Sequence, residues 1–147
     1  MKSILKVLLA LVLGSLPAWA ALGDNVSSVE SDAQALRGQH RMVARAGYNL
    51  HQITMSDGSV VNEYVSPAGT VFGVSWQSHF KPNFQQLLGS HMIDLQEGQR
   101  TQVIPRRGVT VQTDNFVFRN FGRMGVFRGH AYVPSLIPAS LTAEVVQ

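Results

Sequence analysis

Apolar residues follow three patterns along the chain. The first is an unbroken run: residues 7–13 are all apolar, and no charge occurs between Val7 and Leu22. The second has helical spacing. Val29, Ala33 and Leu36 fall at i, i+4 and i+7, behind a Ser27-Ser28-Val29-Glu30 start whose Ser and Glu form a capping box. Gly38 closes that stretch, so a short helix is expected over residues 28–37. Phe84, Leu87, Leu88, His91, Met92 and Leu95 cover an arc of about 140° on a second helix, opened by Pro82 and stopped by Gly98. The third pattern is strand-like. Residues 48–55, 60–65 and 70–76 are rich in β-branched and aromatic residues, and the turns Ser56-Asp57-Gly58-Ser59 and Ser66-Pro67-Ala68-Gly69 separate them. Such short connections impose antiparallel pairing. Residues 109–112, 115–120 and 124–133 are expected to follow as strands, with 141–146 as a last edge strand. One-sided helices on antiparallel strands predict an α+β fold: β-meanders packed by two helices, in the rough order α-βββ-α-βββ.

The first pattern reads as an address. Lys2 and Lys6 precede the apolar run, and Ala18-Trp19-Ala20 supplies a small-x-small cleavage signal, so residues 1–20 are expected to be a secretory signal peptide. The uncharged run is shorter than the roughly 20 residues of a comfortable span, and no integral membrane span is expected once it is cleaved. Residues 21–147 then form a single α+β domain, periplasmic or extracellular.

Composition narrows the chemistry. The 147 residues hold 12 basic and 9 acidic side chains and no cysteine. That excludes a disulfide scaffold, a zinc ribbon and a thiol nucleophile. Losing Lys2 and Lys6 leaves 10 basic against 9 acidic residues, so a nucleic-acid partner has no compositional support. No Gly-x-Ser-x-Gly elbow, Ser-x-x-Lys pair or phosphate loop occurs.

Two groups of residues are candidates for function. The stretch between Gln99 and Gly129 carries Arg100, Arg106, Arg107, Arg119, Arg123 and Arg128 against the single acid Asp114. Arginine forks bind carboxylate and phosphate, and the interleaved Phe116, Phe118, Phe121 and Phe127 offer stacking surface. The plainer reading puts the phenylalanines in the core and the arginines on the opposite strand face. The second group is Glu63, expected at a sheet edge, with His91 and His130, which would serve an acid–base or metal-assisted hydrolase if they converged. His40 with Met42, His51 with Met55, and His91-Met92 invite a copper(I) reading, but Met92 belongs to an apolar stripe. No metal or cofactor is therefore expected.

Several segments carry a family likeness. They are Ala21-Leu22-Gly23, the run Val61-Asn62-Glu63-Tyr64-Val65-Ser66-Pro67-Ala68-Gly69-Thr70-Val71-Phe72 leading to Trp76, Leu87-Leu88-Gly89-Ser90, and Gly129-His130-Ala131-Tyr132-Val133-Pro134. Across the mature chain the sequence resembles domain-of-unknown-function family 2844, exported proteins of Gram-negative bacteria. The resemblance implies export and one compact domain, and carries over no catalytic residue. The expectation is a non-catalytic cell-envelope binding or accessory module. Arg106, Arg107, Arg119, Arg123 and Arg128 would face an anionic envelope polymer or an acidic protein. The alternative is a small periplasmic hydrolase or metal-dependent enzyme using Glu63, His91 and His130.

Overall fold

The computed structural model describes residues 22–101 and 108–147; the expected signal peptide, Arg106 and Arg107 lie outside them. The fold is α+β with an antiparallel sheet. Helix α1 (Ser27–Ala35) leads into four strands: β1 (Gln39–Arg45), β2 (Tyr48–Thr54), β3 (Val60–Val65) and β4 (Val71–Ser78). A helical segment follows as α2 (Phe84–Leu88), one 3₁₀ turn (Gly89–His91) and α3 (Met92–Thr101). Three strands complete the sheet: β5 (Val109–Gln112), β6 (Val117–Arg123) and β7 (Val126–Tyr132). The sheet order is β1-β2-β3-β4-β7-β6-β5 with every neighbouring pair antiparallel. The helical segment therefore carries the chain from the middle of the sheet to its far edge, and the second meander returns to seat β7 on β4.

The order departs from α-βββ-α-βββ in instructive ways. Strand β1 was not expected, because it is an edge strand exposed on almost every residue and lacks an apolar alternation. Helix α1 begins through Asn25, whose side-chain oxygen accepts the Ser27 N–H at 3.0 Å, and not through a Ser–Glu box. It ends two residues early in a Schellman arrangement. Arg37 takes the left-handed position (φ +52°), and the Gly38 and Arg37 N–H groups bond Ala33 and Gln34. The second helix breaks at Gly89 (φ +52°) and runs past Gly98, which is a contact residue and not a stop. A Cβ there would lie 2.3 Å from Val111, so glycine lets α3 settle onto β5. Met124 and Gly125 form a hairpin turn, so β7 starts only at Val126. The expected last edge strand is absent: residues 134–147 lie across the sheet and include the 3₁₀ turns Pro134–Leu136 and Ala143–Val145.

Period-2 alternation gives the sheet two distinct faces. The helix face holds the main core, with Ile53, Val61, Val74, Trp76, Phe118 and Ala131 packed against Val29 and Ala33 of α1 and Phe84, Leu87 and Leu88 of α2. On the other face a smaller cluster of Tyr64, Phe72 and Val146, joined by Leu50, Tyr132 and Leu141, fixes the closing segment over part of the sheet. The rest of that face is open.

Candidate functional site

On the helix face, register sets Met42, His51, Glu63, Val74, Ala131, Phe118 and Val111 in one cross-strand row. Glu63 thus sits on an interior strand, not at a sheet edge, and is 1% exposed. Asp32, on the buried side of α1, faces it and accepts a 3.0 Å hydrogen bond from the Gln86 amide of α2. Burial above all, then the Asp32 charge and a hydrogen bond between the two carboxyl groups, raise the Glu63 pKa well above its ordinary value. Glu63 therefore holds its proton to higher pH than an ordinary glutamate. His51, the cross-strand neighbour of Glu63, shares a 2.9 Å Nδ1···Nε2 hydrogen bond with His40, whose Nδ1 lies 3.3 Å from Glu30 Oε2. Burial, and secondarily the nearby His40, lower the His51 pKa, so this pair shares one ring proton and not two charges. These polar groups pin α1 to β1–β3 and α2 within an otherwise apolar layer.

The other two residues of the acid–base trio lie elsewhere. His91 is in the 3₁₀ turn, bonded to Asp94 at 2.7 Å and stacked on Phe116 with ring centroids 5.5 Å apart. His130 is on the opposite face of the sheet from Glu63. Glu63, His91 and His130 do not meet in one cavity. Among the described residues no three His, Asp or Glu side chains are grouped as a metal ligand set.

The open face has a different character. Arg41, Gln52, Asn62, Ser75, His130, Arg119 and Thr110 form a polar row that crosses all seven strands in register. The Gln52 amide donates to Asn62 at 3.1 Å, and the Asn62 amide to Ser75 Oγ at 3.2 Å. Ser75 Oγ and the Tyr64 hydroxyl each donate to the Gln147 main-chain oxygen at 2.7 Å, which anchors the closing segment at the row's edge. Beside this row a groove of about 560 Å³ is lined by Asn62, Ser75, Gln77, Phe121, Arg128 and His130, and Gln147 forms part of its wall. That volume is within the range of about 300–1,000 Å³ common for ligand sites.

Charge follows the two faces. The strands contain five arginines: Arg41, Arg45, Arg119, Arg123 and Arg128. Their register assigns all five to the open face. Glu63 is the single acid in any strand, and it faces the helices. Arg119 pairs with His130 and Phe121 with Arg128, so Arg119 and Arg128 are diagonal neighbours about 7–8 Å apart on one face. Burial, then the Arg119 charge, lower the His130 pKa and leave a neutral ring between them.

The structure thus separates the expected Arg–aromatic surface into parts. Phe116 and Phe118 are fully buried in the core, while Phe121 is exposed with the arginines and Phe127 is half-buried. Arg128 lines the groove, Arg119 is the cross-strand partner of the groove residue His130, and Arg123 sits at the hairpin tip. Gln52, Asn62, Ser75 and Gln77 were not among the candidates, although each occupies a polar position of a period-2 strand. Asp32 was also missed: at i+3 from Val29 it shares the apolar stripe of α1, and only the opposing strand explains an acid there.

A family model described as a protein of unknown function (DUF2844) matches residues 18–146. No curated protein and no solved structure matches the chain.

Proposed function

The chain belongs to the DUF2844 family of proteins of unknown function, and from that premise we propose that it is an exported, non-catalytic module that binds an acidic envelope polysaccharide on the open face of its sheet. One observation carries this reading: all five strand arginines share the face that no strand carboxylate shares. Cations gathered on strands that carry no carboxylate on that face attract a polyanion at long range and orient it along the sheet. The groove residues, with Arg119 opposite His130 on the next strand, suit a sugar acid in particular. Arg119 and Arg128 are spaced to take a carboxylate between two guanidinium forks, Asn62, Ser75 and Gln77 offer amide and hydroxyl partners for sugar hydroxyls, and exposed Phe121 offers a ring face. Neutral His130 completes the set as a donor or acceptor and not as a further charge. The leader-like first 20 residues support delivery to the envelope, where such polymers occur.

The test is retention on an immobilised polyuronate. The protein is retained at low salt and eluted as salt rises, and a neutral glucan matrix does not retain it. The double substitution Arg119→Ala, Arg128→Ala removes two charge-assisted contacts and weakens retention by about tenfold or more. Equal retention of the double variant, or equal retention on the neutral glucan, would overturn the reading.

A further inference from the structure

The tip of the β6–β7 hairpin exposes apolar side chains that the groove does not use. Met124 is 100% exposed and Val126 42%. The loop after β4 reaches the same end of the sheet. Ser78 pairs with Phe127, and His79 Nδ1 lies 3.3 Å from the Gly125 carbonyl oxygen, which brings Phe80, 72% exposed, beside the tip. Contiguous exposed apolar groups of this kind are rare unless something covers them. Their surroundings indicate what does. Lys81 follows Phe80, and Arg123 and Arg128 flank Met124 and Val126. At this end of the sheet the β2–β3 turn carries Asp57, whose carboxylate is engaged by the Ser59 N–H at 2.8 Å and Ser59 Oγ at 3.0 Å.

We propose that this end of the sheet docks onto an anionic lipid surface, with Phe80, Met124 and Val126 entering the headgroup layer and Lys81 and Arg123 meeting lipid phosphates. Short apolar prongs supply the shallow burial and the cations supply the lipid selectivity, the two signals that reversible membrane attachment needs. This inference stands apart from the polysaccharide site, since a carboxylate-binding groove has no use for a fully exposed methionine. A second copy of the chain would cover the same prongs but would set like charges against each other.

The chain has no cysteine, so Met124→Cys gives one labelling site for an environment-sensitive fluorophore, and Ala68→Cys gives a control at the opposite end of the sheet. The chain without its leader, residues 21–147, is titrated with phosphatidylcholine vesicles containing 30% phosphatidylglycerol and with pure phosphatidylcholine vesicles. The expected result is a blue shift at position 124 on the anionic vesicles, with little on the neutral ones and none at position 68. In the unlabelled protein, Phe80→Ser with Val126→Ser lowers the vesicle-bound fraction by about tenfold. Three results would overturn the proposal: no shift at position 124, equal shifts at both positions, or a concentration-dependent shift at 124 without vesicles. The last would assign the tip to a second copy.

Discussion

Replacing Glu63 by Gln removes a titrating proton from the centre of the helix face while keeping the shape of the side chain and a donor toward Asp32. In the folded protein burial and the Asp32 charge raise the Glu63 pKa well above its ordinary value. In the unfolded chain Glu63 ionises as an ordinary glutamate. Above the unfolded value the folded state therefore holds a proton that the unfolded state has lost, and stability falls as pH rises. The fall continues until pH passes the raised folded value, and then levels off. Each pH unit inside that window is worth up to about 1.4 kcal/mol in favour of the variant. The assay is urea unfolding of both proteins at half-unit pH steps, followed by the fluorescence of the buried Trp76. Taking the difference between the two proteins cancels contributions from groups remote from position 63. The account predicts that Glu63→Gln gains on the parent protein from about pH 4.5 upward, with a plateau that reads the folded pKa directly. A stability difference that does not change with pH would refute a Glu63 whose pKa is raised by burial beside Asp32.

Other predictions follow from the same contacts. His51 has a lowered folded pKa, so its contribution to stability is present above the ordinary histidine value and is lost as pH falls below it. His51→Gln should flatten the melting temperature between pH 6.5 and 5, measured by calorimetry. Burial lowers the His130 pKa most and the Arg119 charge second; a carboxylate between Arg119 and Arg128 would offset that second cause, so polyuronate binding should take up protons and tighten as pH falls below about 6.5, measured by calorimetric titration in two buffers. A Cβ at Gly129 would lie 2.7 Å from the Trp76 ring and 2.2 Å from the Arg119 carbonyl, so Gly129→Ala should cost about 1–3 kcal/mol and alter the near-ultraviolet signal of Trp76. Gly98→Ala should cost a similar amount, and Val111→Ala should recover part of it, because that side chain is the group it strikes.

Much of the layout was legible where one element has one buried side. The turns Ser56-Asp57-Gly58-Ser59 and Ser66-Pro67-Ala68-Gly69 joined β2, β3 and β4 as expected, because their residues suit tight antiparallel connections. The stripe of Phe84, Leu87, Leu88 and Leu95 is buried as its spacing implied. What stayed hidden depended on partners distant in sequence. Strand β1 is held by pairing with β2, and no apolar face of its own announces it. The residues near the C-terminus that carry strand-like composition instead lie flat on Tyr64, Phe72 and Tyr132. Gly98 is silent about why it is glycine until Val111 is opposite it. The candidate site divides in the same way. The arginine-rich second half was visible in composition, and the alternation of Phe118 with Arg119 already hinted that core and cations part company. The contribution of Asn62, Ser75 and Gln77 comes only from the register that aligns them, and Glu63 looked like a lone surface acid until α1 set Asp32 against it.

The most direct measurement is an amide-resolved NMR titration of the protein with a uronic acid oligosaccharide. The account predicts shifts concentrated on Asn62, Ser75, Gln77, Arg119, Arg128 and His130, while Asp32, His51 and Glu63 behind the sheet stay in place. Shifts centred on the helix face, or an unaltered spectrum at saturating oligosaccharide, would contradict it.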